Sequence, residues 1–358
     1  MKQPIKIIKF QNKGNIFRKT RGGGLKRVVI HDGAFNLIIS EENLFAAWEE
    51  FRQGKRSKPD VQVFELNLED NIFTLAQNLK TGSLPRISYQ QFRITDPKPR
   101  LISKAKVSNR LLFHAVYRIL YPTFDRTFIF DSYSCREEKG THRAFQRLVQ
   151  LTRKISGNFT KPCWSLKCDI KKFFDNIDHE ILIDILQRRI KDKKLMGLLR
   201  HIIKSFHCQP GKGMPLGNIT SQLFANLYLD VLDKFVKHKL KVRYYLRYTD
   251  DFILLGRDPR LLISYLAEIE KFLGRRLKLK IHPQKTYLRK LYWGIDFVGY
   301  INSSGFNLPR KRTTERILRN MKRMLKRKPE KSYESLQSYL GYFRHVNAYN
   351  LSDRLQNS

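Results

Sequence analysis

The stretch VRYYLRYTDDFILLG, Val242 to Gly256, limits what this chain can fold into more than any other. Tyr244, Leu246 and Tyr248 alternate on one side of two aspartates, and Phe252 to Leu255 are apolar on the other. The pattern predicts strand, tight turn, strand, with Asp250 and Asp251 at the bend. Aspartate is a favoured turn residue, so a pair of them says little alone. Here apolar strands press in from both sides, which puts the turn at the lip of a core. Two carboxylates there repel, and each is costly without a counter-charge. A divalent cation would supply that charge.

A third acid ends another predicted strand. In WSLKCDIKKFFDNID, Trp164, Leu166 and Cys168 alternate with Ser165, Lys167 and Asp169. If this strand pairs beside the hairpin, Asp169, Asp250 and Asp251 converge. Three carboxylates with water suit oxygen-ligated Mg²⁺. Two such ions, roughly 3.5–4 Å apart, would fit an in-line phosphoryl transfer.

Charge points the same way. Lys and Arg total 70 against 32 Asp and Glu, a formal charge of +38 over 358 residues. Such an excess favours a polyanionic partner, with nucleic acid ahead of an anionic membrane surface. No apolar run approaches the length of a membrane span, and the start MKQPIKIIKF lacks the apolar stretch of a signal peptide, so a cytoplasmic protein is expected. The four cysteines form neither a CxxC pair nor a zinc pattern and are read as free thiols.

Along the chain, residues 1–38 form a basic, glycine-rich N-terminal segment that reads equally as a loose arm or a disordered terminus. SEENLFAAWEEF is a helix capped by Ser40, with Leu44, Phe45, Trp48 and Phe51 on one face. Short strands are predicted over 87–102, then a helix over 109–121. Asp178 caps a further helix. Gly213 to Asp230 reads as a loop leading into a buried helix. Another helix spans 260–273. LKLKIHPQKTYL alternates as a strand, and WGIDFVGY reads as an apolar hairpin. The remainder is read as all helical. Ile317, Leu318, Met321, Met324 and Leu325 line one face of a helix whose other face is densely basic, and Pro329 ends it.

In order, KPRLISKAKVSNR, KCDIKKFFDNIDH, GMPLGNITSQ, RYTDDF, HPQKT and WGIDFVGY resemble the successive motifs of reverse transcriptases, over roughly residues 85–350. Within that family the chain resembles the reverse transcriptases of diversity-generating retroelements, which are group II intron-like bacterial enzymes. The shared features are the loop GMPLGNITSQ and the tail SYLGYFRHVNAYNL. The resemblance implies an α+β, right-hand polymerase. Its fingers, with N-terminal helices, would span 39–163, its ferredoxin-like palm 164–300 and its helical thumb 301–358.

The same resemblance implies the site. Asp169 and Asp250 would bind two Mg²⁺ ions, or Mn²⁺ in their place, with Asp251 assisting and Ile170 among the metal contacts. Lys285 would protonate pyrophosphate. Arg100, Lys171, Lys172, Phe174, Leu216 and Gly217 would meet the incoming deoxynucleotide, Phe174 as a steric gate against a ribose 2′-hydroxyl. Arg93 and Lys98 compete for a second triphosphate contact. Gly213, Pro215, Ser221, Gln222, Gly294, Arg312 and Arg316 would border template and primer. Gly213 and Gly217 would admit backbone close to the substrate for want of a Cβ.

Leu216 stands where typical relatives carry glutamine. A site with fewer polar contacts discriminates less sharply. The resemblance implies error-prone, adenine-mutagenic cDNA synthesis from a retroelement RNA, with template RNA, primer or cDNA, dNTPs and a small basic accessory protein, the accessory variability determinant, as partners. The adenine bias comes from the subfamily. Three other readings stay open: another bacterial reverse transcriptase of ordinary fidelity (retron, group II-like or phage-defence), a non-enzymatic RNA-binding scaffold, and an RNA-dependent RNA polymerase.

Overall fold

Local signals place most elements where the residues predict them. In the computed structural model, which describes residues 16–20, 27–95, 98–327 and 332–348, Ser40 accepts a hydrogen bond from the Asn43 amide at 3.3 Å and starts the helix Glu41–Arg52. Asp178 does the same for Ile181 at 3.1 Å and starts His179–Gln187. The chain divides into two compact units that interleave along the sequence.

The first unit takes in residues to Phe130, Lys171–Phe235 and Lys271–Lys280. It is mostly helical. The helix Val107–Asp125 buries Leu111, Leu112, Ala115, Val116 and Ile119 and packs against Glu41–Arg52 and Ile219–Lys234. A hairpin pairs Tyr89–Ile94 with Arg100–Ala105. Of the segment 1–38, read as a loose arm or a disordered terminus, residues 16–20 and 27–38 are folded, and the rest lie outside the described residues. Phe17–Thr20 pairs with Arg27–Ile30, and Ala34–Ile39 is a helix burying Ala34, Phe35, Ile38 and Ile39. With Val28 and Ile30, also buried, these side chains anchor the described part. The RGGG motif and Pro329 lie outside the described residues.

The second unit takes in Asp131–Ile170, Val236–Glu270 and the residues from Ile281 on. It holds helix α1 (Thr141–Ser156), strands β1 (Trp164–Asp169), β2 (Tyr245–Tyr248) and β3 (Asp251–Gly256), helix α2 (Pro259–Phe272, its last two residues in the first unit) and strand β4 (Tyr287–Lys290). The four strands form one antiparallel sheet in the order β2-β3-β1-β4. With helices joining β1 to β2 and β3 to β4, this is the β-α-β-β-α-β connectivity of a ferredoxin-like sheet.

Strand alternation sorts the side chains. Leu166, Cys168, Phe252 and Leu254 fill one face and are fully buried. On the other, Leu246, Ile253 and Leu255 pack under Phe145, Leu148 and Ile155 of α1, leaving Lys167, Asp169 and Asp251 as a polar stripe beside this core.

Two elements differ from the sequence reading. The alternating run 277–288 is not a strand throughout. Pro283 lacks an amide hydrogen and opens a 3₁₀ turn, Pro283–Lys285, so the strand begins only at Tyr287. The segment after residue 300 is not all helical. Strands β5 (Ile295–Phe297), β6 (Tyr300–Asn302) and β7 (Asn307–Pro309) form a second antiparallel sheet. Helices α3 (Lys311–Arg327) and α4 (Ser332–Phe343) follow, with Ile317, Met321 and Phe343 buried between them.

Candidate active site

The register of β1 and β3 brings two of the acids face to face. Asp169 pairs directly with Asp251, the last rung of a ladder that starts at Trp164 and Gly256. Asp250 occupies the turn, and its carbonyl accepts from the Ile170 amide at 3.1 Å. Asp251 is therefore not at the bend, as the sequence suggested. Thr249 takes a positive φ of 55° and completes the reversal one residue earlier. The pairing brings Asp169 and Asp251 together, with Asp250 next to them in the turn.

Like charges directly opposite in a ladder are destabilising. The unit answers with two lysines. Lys285 Nζ lies 3.0 Å from Asp169 Oδ1. Lys167, diagonal to Asp251 on the same face, lies 3.1 Å from its Oδ2 and donates to the Asp296 carbonyl at 2.8 Å. The Asp169 carbonyl is pinned by the His282 amide at 2.7 Å, which sets the short turn bearing Lys285 beside β1. Burial pushes the Asp251 carboxyl up to about 6 against the pull of Lys167, and the Asp169 and Asp250 carboxylates add to the rise. Sequence reasoning missed Lys167 as a partner. Its signal was the alternation itself, which puts position 167 on the face of position 169.

The donor set suits a hard cation. Asp251 Oδ1 is buried and has no hydrogen-bond partner, an acceptor aimed at nothing in the protein. With Asp169 turned to Lys285 and Asp251 to Lys167, no group of three or more His, Cys, Asp or Glu side chains is arranged to hold a metal ion among the described residues. Binding there requires those ammonium groups to give way. Ile170, expected among the metal contacts, is 1% exposed.

The other expected residues fall in two groups. Gly294, Arg312 and Arg316 belong to the second unit. Gly294 is required locally, since a Cβ there would stand 2.8 Å from Ile301 Cγ2. Arg312 is exposed and Arg316 half-buried on α3. Arg100, Lys171, Lys172, Phe174, Gly213, Pro215, Leu216, Gly217, Ser221 and Gln222 belong to the first unit. There Arg100, Lys171, Lys172, Gly217 and Gln222 are exposed, while Phe174 and Leu216 are half-buried. The Phe174 carbonyl accepts from the Met214 amide at 2.9 Å, and the Leu216 carbonyl from Ser103 at 3.2 Å.

Both loop glycines have internal reasons. Gly213 has φ 111° and its missing Cβ points at the Cys208 amide nitrogen, 2.8 Å away; that of Gly217 points at Ile102 Cγ2, 3.1 Å away. Their freedom serves packing within the unit. Pro215 and Ser221 are buried, and Ser221 Oγ has no hydrogen-bond partner. All four cysteines are free. No helix among the described residues is long and apolar enough to cross a membrane.

Comparison with known proteins agrees with the motif order. Residues 94–302 match the family described as reverse transcriptase (RNA-dependent DNA polymerase). The chain is 25% identical to Protein YkfC of Escherichia coli, over 57% of this chain and 63% of that one. It is 24% identical to the group II intron-encoded protein LtrA of Lactococcus lactis subsp. cremoris, over 65% of this chain and 49% of that one. It thus spans less than two thirds of the length of either relative. A solved telomerase from Candida albicans, in complex with a fragment of telomeric RNA, aligns with a TM-score of 0.46 and 13% identity, over 63% of this chain and 47% of that one.

Proposed function

The chain belongs to the reverse transcriptase family, and from that premise we propose that it is an RNA-directed DNA polymerase making cDNA by metal-assisted nucleotidyl transfer. The observation that carries the reading is the Asp169–Asp251 rung, with a buried, unpartnered carboxylate oxygen beside Asp250 at the end of a ferredoxin-like sheet. Asp169, Asp250 and Asp251 are the residues that would hold Mg²⁺. When bound, the metal would lower the pKa of the primer 3′-hydroxyl and neutralise the departing pyrophosphate.

The protein's own groups position and neutralise. Lys285, which pairs with Asp169, would protonate the departing pyrophosphate, the role its motif position implies. Lys167 favours the ionised form of Asp251, without offsetting its burial, and orients the carboxylate. The nucleotide roles of Arg100, Lys171, Lys172, Phe174, Leu216 and Gly217 rest on their motif positions, as do the template and primer roles of Gly213, Pro215, Ser221, Gln222, Gly294, Arg312 and Arg316. The fingers, palm and thumb are assigned to 39–163, 164–300 and 301–358 on the same ground.

Within the family, the loop GMPLGNITSQ with Leu216 supports a mutagenic enzyme of a diversity-generating retroelement, working on its own RNA with a small basic accessory protein. Primer extension on a mixed-sequence RNA with Mg²⁺ and dNTPs, every cDNA being sequenced, tests both levels. Product from the parent and none from Asp250→Ala is the expected result; synthesis retained in that variant would remove the catalytic reading. Errors concentrated opposite template adenine are expected of the subclass. Faithful cDNA would leave a reverse transcriptase of ordinary fidelity.

A further inference from the structure

Large aromatic side chains stay in solvent at the end of β1 remote from the acids. Trp164 opens β1 and Trp293 follows β4; their rings meet edge to face with centroids 6.1 Å apart. Lys290 Nζ lies 5.2 Å from the first ring centroid and 5.7 Å from the second. Tyr292 is 77% exposed and Trp293 57%. Ser303 Oγ donates to the Tyr292 carbonyl at 3.2 Å, which ties to this surface the turn carrying Phe306, itself 47% exposed. Trp164 precedes Asp169 by five residues, about 17 Å at ~3.3 Å per residue, so this surface is separate from the acids.

The unit does not lack a core into which such rings could sink: Phe145, Phe297 and Tyr300 are buried within it. Trp293 and Tyr292 are held out on a 3₁₀ turn of Leu291–Trp293, whose Leu291 is buried while the two aromatics are not. An ammonium group resting against both indoles makes the surface electropositive as well as aromatic. That pairing of flat π faces with a cation suits a strand that offers bases and phosphates together. It suits less well an apolar protein surface, which would leave Lys290 without a partner. The formal charge of +38 adds attraction for a polyanion.

We propose that Trp293 and Tyr292, backed by Trp164 and Lys290, form a platform on which unpaired bases of an RNA strand stack, at the end of β1 remote from the carboxylates. The inference extends the RNA partnership proposed above, but its test involves no nucleotide incorporation, so the two fail separately.

The full chain is titrated near physiological salt with a 12-nucleotide oligoadenylate and with an abasic oligomer of equal length and charge, reading tryptophan fluorescence. Trp48 is fully buried, so the change on binding is expected from Trp164 and Trp293. The oligoadenylate is expected to quench and to bind at least tenfold more tightly than the abasic chain. Trp293→Leu and, as a second variant that spares the indole pair, Tyr292→Ser should each cut that advantage by about 5- to 150-fold, or abolish it, the range of one lost base–aromatic stack. Equal binding of the two oligomers would overturn the proposal. So would an unchanged advantage in both variants. If either substitution instead converts an oligomer to a monomer in sedimentation, with oligoadenylate affinity intact, the surface is a protein interface and the proposal falls.

Discussion

Asp251 should be a stability liability that the chain tolerates for its chemistry. Its carboxyl ionises at about 6 in the fold against an ordinary 3.8, because burial outweighs the Lys167 ammonium. The side chain is 24% exposed, so solvent screening leaves most of the effect in place. At about 1.4 kcal/mol per pKa unit, holding this carboxylate ionised costs the folded state roughly 3 kcal/mol. The sign follows from linkage. Between pH 3.8 and about 6 the unfolded chain releases this proton while the folded chain keeps it, so stability falls as pH rises through that window and stays lowered above it. Asp251→Asn removes the ionisation and keeps the shape. In EDTA at pH 8 the variant should be more stable than the parent by about 3 kcal/mol in urea unfolding, and the gap should close towards pH 4. Added Mg²⁺ should stabilise the parent more than the variant, by mass action on the folded state. A variant no more stable than its parent at pH 8, or a gap that does not change with pH, would refute the reasoning.

Further outcomes follow from particular contacts. Phe174→Ala should admit ribonucleotides, read as the ratio of NTP to dNTP incorporation in primer extension. Leu216→Gln introduces an amide; a hydrogen bond of about 1 kcal/mol would lower the overall error rate roughly fivefold, read by cDNA sequencing. Gly213→Ala forces a Cβ against the Cys208 amide at a positive φ, so thermal unfolding should show a loss of at least ~1–3 kcal/mol. Ser40→Ala removes a cap and should cost about 1 kcal/mol without changing activity per folded molecule.

Elements with a strong local cause were legible in the residues. Alternation defined β1 to the residue, Ser40 and Asp178 announced their helices, and the apolar flanks of Asp250–Asp251 marked a hairpin. What stayed hidden depended on pairing between distant segments. Strand order decides that Asp169 faces Asp251, and no spacing within either strand contains that order. Lys167 could be placed on the face of Asp169, but not on the carboxylate across the ladder. The run at 277–288 misled because its alternation is real, with Leu277, Leu279 and Ile281 all buried, while Pro283 denies the backbone a ladder. The loop glycines are a different case. A neighbouring cysteine and isoleucine give them a second, internal reason that no local pattern shows.

The rung that joins Asp169 to Asp251 is also the terminal one, where a zipper opens first. Repulsion stored at a free end can be relieved by fraying that rung alone, without unzipping the apolar rungs behind it. The His282 and Ile170 amides act as clasps on just that end, holding Asp169 and the Asp250 turn closed. Charge and strand mechanics thus meet at one point: a divalent ion seated between the two strands would be at once a reagent and a rivet, and its departure would loosen the tip of the sheet while the remainder stayed shut.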